Sequence, residues 1–312
     1  MSYLLYIDIL KAIGILFVIS GHVFGFDNKF SVYIHSFHVP LFFFISGYLF
    51  HNYNVKNFIS KRFKRLILPY FGYGILNFLL CILLFKNFDY KGFIASLFLY
   101  NNEPSIPVVG ALWFLTGLFF ANVIFFFINK IFAKYALIPI FLIVGLEMFF
   151  KLKLPYSIDT AIFMLPIIYV GYKFRNFEWK FKPFHEFLIA AFILALTFFT
   201  IFLNGDVNTR TNTYENLILF YFNAIFVSVG YYYLAKFLEN LKYMNILGEI
   251  GKYSLELMCI HQVILFCFVE NLNIKNNTIL LIITLCSSGL IIFVANHSFK
   301  RFYDKLSKRI KP

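Results

Sequence analysis

Two ionisable side chains, Lys11 and His22, lie within one apolar stretch, KAIGILFVISGHVF, over residues 11–24. At about 100° per residue, their separation amounts to three helical turns plus roughly 20°. Both therefore fall on one helix stripe, about 16 Å apart along the axis. An imidazole takes and returns a proton near neutral pH, which suits general-base chemistry on a hydroxyl group. His35 and His38 follow shortly after, in IHSFHVPLFFFISGYLF. An antiparallel hairpin around the short turn at 27–31 puts His22 and His38 at similar depth on facing helices, where a second ring can set the tautomer of the first. Asp8 precedes Lys11 by one turn and can neutralise it. In KNFISKRFKRLILPY, Arg62 and Arg65 are one turn apart, a spacing that suits phosphate oxygens. Basic residues beside a span also set topology or touch lipid headgroups.

Further along, Asp159 stands in LPYSIDTAIFMLPIIYVGY, His261 in GKYSLELMCIHQVIL, and Trp113 in GALWFLTG. Trp113 reads as an interface aromatic or a substrate platform. The four cysteines, Cys81, Cys259, Cys267 and Cys286, show no metal-ligand spacing. They read as small buried apolar residues, and neither a disulfide framework nor a metal site is expected.

The elements that hold these groups are membrane-spanning helices. The chain is 61% hydrophobic and 22% aromatic, with only 14% charged residues and a mean hydropathy of +0.76. Apolar runs recur at the length, about 20 residues, that crosses the hydrocarbon layer. Ten spans are predicted, near 6–26, 32–50, 66–85, 111–128, 135–150, 158–172, 186–203, 217–235, 253–270 and 278–298, giving an all-α polytopic membrane protein. With the N-terminus inside, the inner segments carry 20 Lys and Arg and the outer segments seven. That asymmetry places both termini in the cytoplasm. The net charge of +13 is thus a topology signal, and no nucleic-acid partner is expected. The first run lacks the basic start and small-residue cleavage site of a signal peptide. No soluble domain is visible, so residues 1–312 read as one membrane domain. The longest linkers, 86–110 and 204–216, fall outside. The first holds a short helix at FIASLFLY, before the helix-breaking NNEPSIPVVG.

Taken in order, these motifs resemble the membrane-bound acyltransferase family 3, in particular its fucose 4-O-acetylase-like branch. YIDILKAIGILFVISGH resembles the first-helix signature, a basic residue followed after ten intervening positions by histidine, here Lys11 and His22. SFHVPLFFFISGYLF resembles the second-helix signature through His38, Ser46 and Gly47, and SKRFKRLILPY the cytoplasmic Arg-x-x-Arg motif through Arg62 and Arg65. The family usually has arginine where this chain has Lys11, which keeps the charge and loses the planar fork. The resemblance implies transfer of an acyl group, usually acetyl, from cytoplasmic acyl-CoA to a sugar hydroxyl of a cell-surface polysaccharide or its lipid-linked precursor. It implies His22, His38 and Asp159 as the catalytic set, with His22 as general base on the acceptor hydroxyl or as transient carrier of the acyl group, and with Lys11, Arg62 and Arg65 on the acyl-CoA. Asp8, Trp113 and His261 have supporting positions. Acetyl-CoA enters as a substrate, with no permanently bound cofactor. Membrane lipids and glycan-biosynthesis proteins are the remaining expected partners, in the cell membrane. The rival class is a transporter or glycan flippase, whose signature is repeated halves with broken helices. Neither repeats nor broken pairs are legible in this sequence.

Overall fold

The computed structural model describes residues 4–25, 28–51, 54–86, 88–101, 110–177, 179 and 181–309, with side chains described up to residue 297. Most of the breaker segment NNEPSIPVVG lies outside them. The architecture is helical, and eight helices are long and apolar enough to cross a membrane. A ninth span arises if α9 (Ile158–Phe163) and α10 (Leu165–Phe174), bent by 55°, count as one. The remaining predicted span, 135–150, corresponds to α8 (Leu137–Phe150), only 14 residues long. At about 1.5 Å per residue it rises roughly 21 Å, short of the hydrocarbon thickness. The bent pair corrects the expectation of no broken helices. A single such pair is present among the described residues.

Helix α1 (Leu5–Phe24) is the axis of the interior. It packs against α3 (His38–Tyr48), α12 (Leu217–Leu238), α13 (Asn245–Lys252) and α14 (Ser254–Phe266). In α1 and in α7 (Trp113–Phe132), 61% of the spanning window is buried within the protein. In α11 (Pro183–Asn204) and α15 (Asn277–Arg309) the value is 22%, so these helices lie at the periphery and offer their apolar side chains to lipid. This explains a departure from expectation. Cys81 and Cys259 are buried, whereas Cys267 is partly accessible and Cys286, on peripheral α15, is exposed.

Small residues set the closest helix approaches, as packing in lipid requires. A Cβ at Gly47 would overlap the Ile168 carbonyl, and one at Gly171 the Phe44 carbonyl, so α3 and α10 touch backbone to backbone. A Cβ at Gly251 would overlap the Asp8 carbonyl, which fixes α13 against the start of α1.

Two local breaks shape the site. The second span is divided into α2 (Lys29–His35) and α3, so that His35 closes one helix and His38 opens the next. The third span begins earlier than predicted. Val55–Leu84 is one 30-residue helical element, made of α4 (Val55–Arg62), a π-helical turn (Phe63–Ile67) and α5 (Leu68–Leu84). Arg62 and Arg65 thus lie within this element, with Arg65 in the π turn, a device common at functional sites. The outer linkers also carry structure: α6 (Tyr90–Phe98) in the first, as expected, and in the second an antiparallel ribbon of β1 (Val207–Asn208) and β2 (Thr213–Tyr214).

Candidate active site

At one end of the bundle, a cavity of about 290 Å³ is lined by five cationic side chains: Lys11, Lys61, Arg62, Arg65 and Lys252. Ser46, His51 and Ser254 add polar atoms, and Phe42, Leu115 and Met258 are among the apolar walls. Among the described residues, no Asp or Glu lines it. Lys11 is held from beside the cavity by Asp8, Nζ to Oδ1 at 2.9 Å, which confirms the pairing read from their spacing. The Arg62 guanidinium lies 5.5 Å from the centre of the Phe58 ring, which restrains its long side chain. A basic mouth on an apolar chamber suits an amphipathic anion.

His22 does not line this cavity, but three of its lining residues stand four positions from residues near His22. Phe42 lies four residues after His38, Leu115 four after Ala111, and Met258 four before Gln262. The first and last pairs are each one helical turn apart, about 6 Å; Gln262 bonds to His22, Ala111 bonds to Gln262, and His38 is an electrostatic neighbour of His22. The rings of Phe42 and Phe114, both lining residues, stand edge to face at 5.5 Å at this deep end.

His22 is accessible, although its chain neighbours Gly21 and Val23 are buried. The Gln262 Nε2 donates to His22 Nδ1 at 3.0 Å. The Gln262 Oε1 accepts from the Ala111 backbone N–H at 2.8 Å, and a backbone N–H can only donate. That second bond settles the amide orientation and leaves the NH2 group facing the imidazole. His22 must then offer a lone pair at Nδ1 and, when neutral, carry its proton on Nε2. The His261 ring lies 5.2 Å from the His22 ring, centre to centre. Its Nδ1 donates to the Leu257 carbonyl at 2.8 Å, which leaves Nε2 as a lone pair, buried and without a hydrogen-bond partner among the described residues. The ionisable groups acting on His22 are His261, His38, His35 and Arg210.

A buried polar network supports this end. Asn101 donates to the Tyr70 hydroxyl at 3.2 Å and to Thr116 Oγ1 at 2.8 Å, and accepts from Ser157 Oγ at 2.9 Å. Its carbonyl accepts from Arg210 Nη2 at 3.4 Å, tying the ribbon turn to the segment that follows α6. Ser157 and its neighbour Tyr156 hold left-handed backbone conformations at φ 57° and 56°. Such strain costs about 1 kcal/mol or more per residue and persists where surrounding contacts enforce it.

The family model for the acyltransferase domain of acyltransferase family 3 matches residues 4–296. The chain belongs to this family. The match is to the family as a whole and selects no branch within it. No curated protein and no solved structure matches the chain.

In this acyltransferase, the residues singled out from sequence form two groups. Lys11, Arg62 and Arg65 come together at the basic cavity. His22 and His261 pair at the other end, although 239 positions separate them in the chain. His38 stands near, as an electrostatic neighbour of His22. Its direct contacts are the His35 ring at 5.0 Å and the Ile34 carbonyl, 2.8 Å from Nδ1. Trp113 is 6% exposed and packs on Phe114, so it is a wall residue of the interior and no member of an interface belt. Asp159 is buried in the first turn of α9, and the groups that feel its charge include Glu147 and Tyr214. It does not figure among the ionisable groups acting on His22. Sequence reasoning passed over Gln262 and Asn101 because they are uncharged, and over Arg210 because it lies in a linker. The polar pair His261–Gln262 inside an apolar span was the available signal.

Proposed function

We propose that the protein is an O-acyltransferase that moves a short acyl group, acetyl in the simplest case, from acyl-CoA to a sugar hydroxyl of a cell-surface polysaccharide or its lipid-linked precursor. The observation that carries the proposal is the cavity itself: its mouth is cationic, its walls are apolar, and its deep end lies one helical turn from the residues around His22. Arg62 and Arg65 engage the CoA phosphates at the cytoplasmic face. Lys11, already matched by Asp8, adds charge along the wall. The acyl thioester lies toward Phe42 and Phe114.

The acceptor hydroxyl approaches His22 from the opposite side and takes the place of the Gln262 amide on Nδ1. Its oxygen bonds to the acyl carbon as its proton passes to Nδ1, and the carbon–sulfur bond breaks. The CoA thiolate takes that proton from the His22 imidazolium and leaves as the thiol, which returns His22 to the neutral base. Deep in the chamber, Phe42, Phe114, Leu115 and Met258 supply no partner for a charged acyl end, and burying an unpaired carboxylate costs several kcal/mol. This favours an uncharged acyl group over a dicarboxylic one such as succinyl.

The test is His22→Ala, assayed for acylation of surface glycan by mass spectrometry in cells lacking the native chain. Loss of the acylated glycan, with the variant present in membranes and still binding acyl-CoA, is the expected result. Retained acylation would remove His22 from the chemistry.

A further inference from the structure

A second cavity, of about 490 Å³, is lined by Phe126, Asn129, Lys130, Lys134, Tyr172 and Lys173. It lies at the C-terminal ends of α7 and α10, which the basic residues of the chain mark as the same side as Arg62 and Arg65. Among the described residues, no Asp or Glu lines it and none of its lysines makes an ion pair. The Lys134 ammonium lies 5.0 Å from the Tyr135 ring centre, and that of Lys173 lies 5.4 Å from Tyr169 and 5.7 Å from Tyr172. Aromatic faces restrain these side chains without cancelling their charge. Two helix C-termini contribute roughly half a negative charge each, so the three lysines leave a net charge of about +2. An anion of one or two charges fits that balance.

The cavity is separate from the donor chamber. Phe126 lines this one and Phe58 lines the other, and the two rings stack at 4.4 Å with planes 19° apart. Its flank is lipid-facing. Phe127 and Ile131, 40% and 69% exposed, lie one turn apart on α7, on either side of Lys130 in sequence, and Ile138 of α8 is 68% exposed. At 100° per residue, Phe127, Lys130 and Ile131 fall within an arc of about 100°. A ligand whose phosphate sits among the lysines can therefore lay acyl chains on this apolar strip. Basic pockets between spanning helices near the cytoplasmic leaflet have the chemistry to hold acidic lipid headgroups.

We propose that this cavity binds the phosphate of an anionic phospholipid, from the leaflet that faces the Arg62–Arg65 end, independently of acyl-CoA. The test reconstitutes the full chain in nanodiscs of equal parts phosphatidylglycerol and phosphatidylcholine, then reads retained lipid by native mass spectrometry. The wild type should retain phosphatidylglycerol over phosphatidylcholine by about tenfold. Lys130→Gln with Lys134→Gln and Lys173→Gln should abolish that preference. Lys86→Gln with Lys91→Gln and Lys275→Gln, which removes as many lysines elsewhere, should leave it intact and so controls for net charge. Equal retention of both lipids by the wild type, or an unchanged preference in the first triple variant, would overturn the proposal. Displacement of phosphatidylglycerol by millimolar inorganic phosphate or by acyl-CoA would also overturn it, in favour of a site for soluble phosphates.

Discussion

Gln262 offers the sharpest perturbation of the catalytic end, because its two hydrogen bonds can be changed separately. Leucine at this position removes both the 3.0 Å bond to His22 Nδ1 and the 2.8 Å bond from the Ala111 N–H. Glutamate can still accept from Ala111. Its second oxygen, however, also accepts, and it forces a proton onto His22 Nδ1, the opposite tautomer. Two neutral hydrogen bonds are worth about 1 kcal/mol each. If that energy is spent holding the imidazole in register, its loss lowers transfer by about thirtyfold. Gln262→Leu should therefore lower kcat by about this factor, and Gln262→Glu should lower it as well, because a proton on Nδ1 leaves no lone pair there to take the acceptor's proton. Acyl-CoA affinity should change by less than about twofold, since Gln262 does not line the donor cavity. The assay is transfer of radiolabelled acetyl from acetyl-CoA to the acceptor in isolated membranes, with donor binding measured on the purified chain. If Gln262 only fills space, leucine is tolerated. A Gln262→Glu protein with wild-type kcat would refute the tautomer argument, because that variant preserves everything except the donor facing His22.

Two further predictions concern the donor cavity. Replacing both Arg62 and Arg65 by glutamine should weaken acyl-CoA binding by about thirtyfold, roughly 1 kcal/mol for each partly solvated charge contact. The salt dependence of binding, measured by calorimetry at low and high ionic strength, should flatten in the double variant. Phe114→Ala should open the deep end, where its ring meets Phe42 at 5.5 Å, and admit longer acyl chains. The ratio of hexanoyl to acetyl transfer should rise about tenfold over the wild type in a competition assay with mixed acyl-CoA donors.

What could be read from sequence, and what could not, follows from the kind of signal each feature leaves. The spans were legible because apolar length has to match hydrocarbon thickness; α8 fell short of its assignment, and 158–172 is met only by the bent pair α9 and α10. Lys11, Arg62 and Arg65 were legible because charges near or inside spans are costly, and the structure gathers all three on one cavity. His22 was legible for the same reason. Its nearest ring was not, because the hairpin argument could reach only residues close in the chain, whereas His261 comes from α14. The break between α2 and α3 and the π turn at Phe63–Ile67 leave the composition unchanged and alter only hydrogen-bond register, so an apolar run does not announce them. Gln262 was missed because an uncharged amide carries little penalty inside a span, and its importance lies in what it donates to.

The central claim is that one molecule of acyl-CoA extends from the arginines toward His22. A cryo-EM structure of the protein with a non-hydrolysable acetyl-CoA analogue tests it most directly. The account predicts phosphate density at Arg62 and Arg65 and the acyl carbonyl past Phe42 and Phe114, within reach of His22. Analogue density elsewhere, or an acyl end directed away from His22, would contradict it.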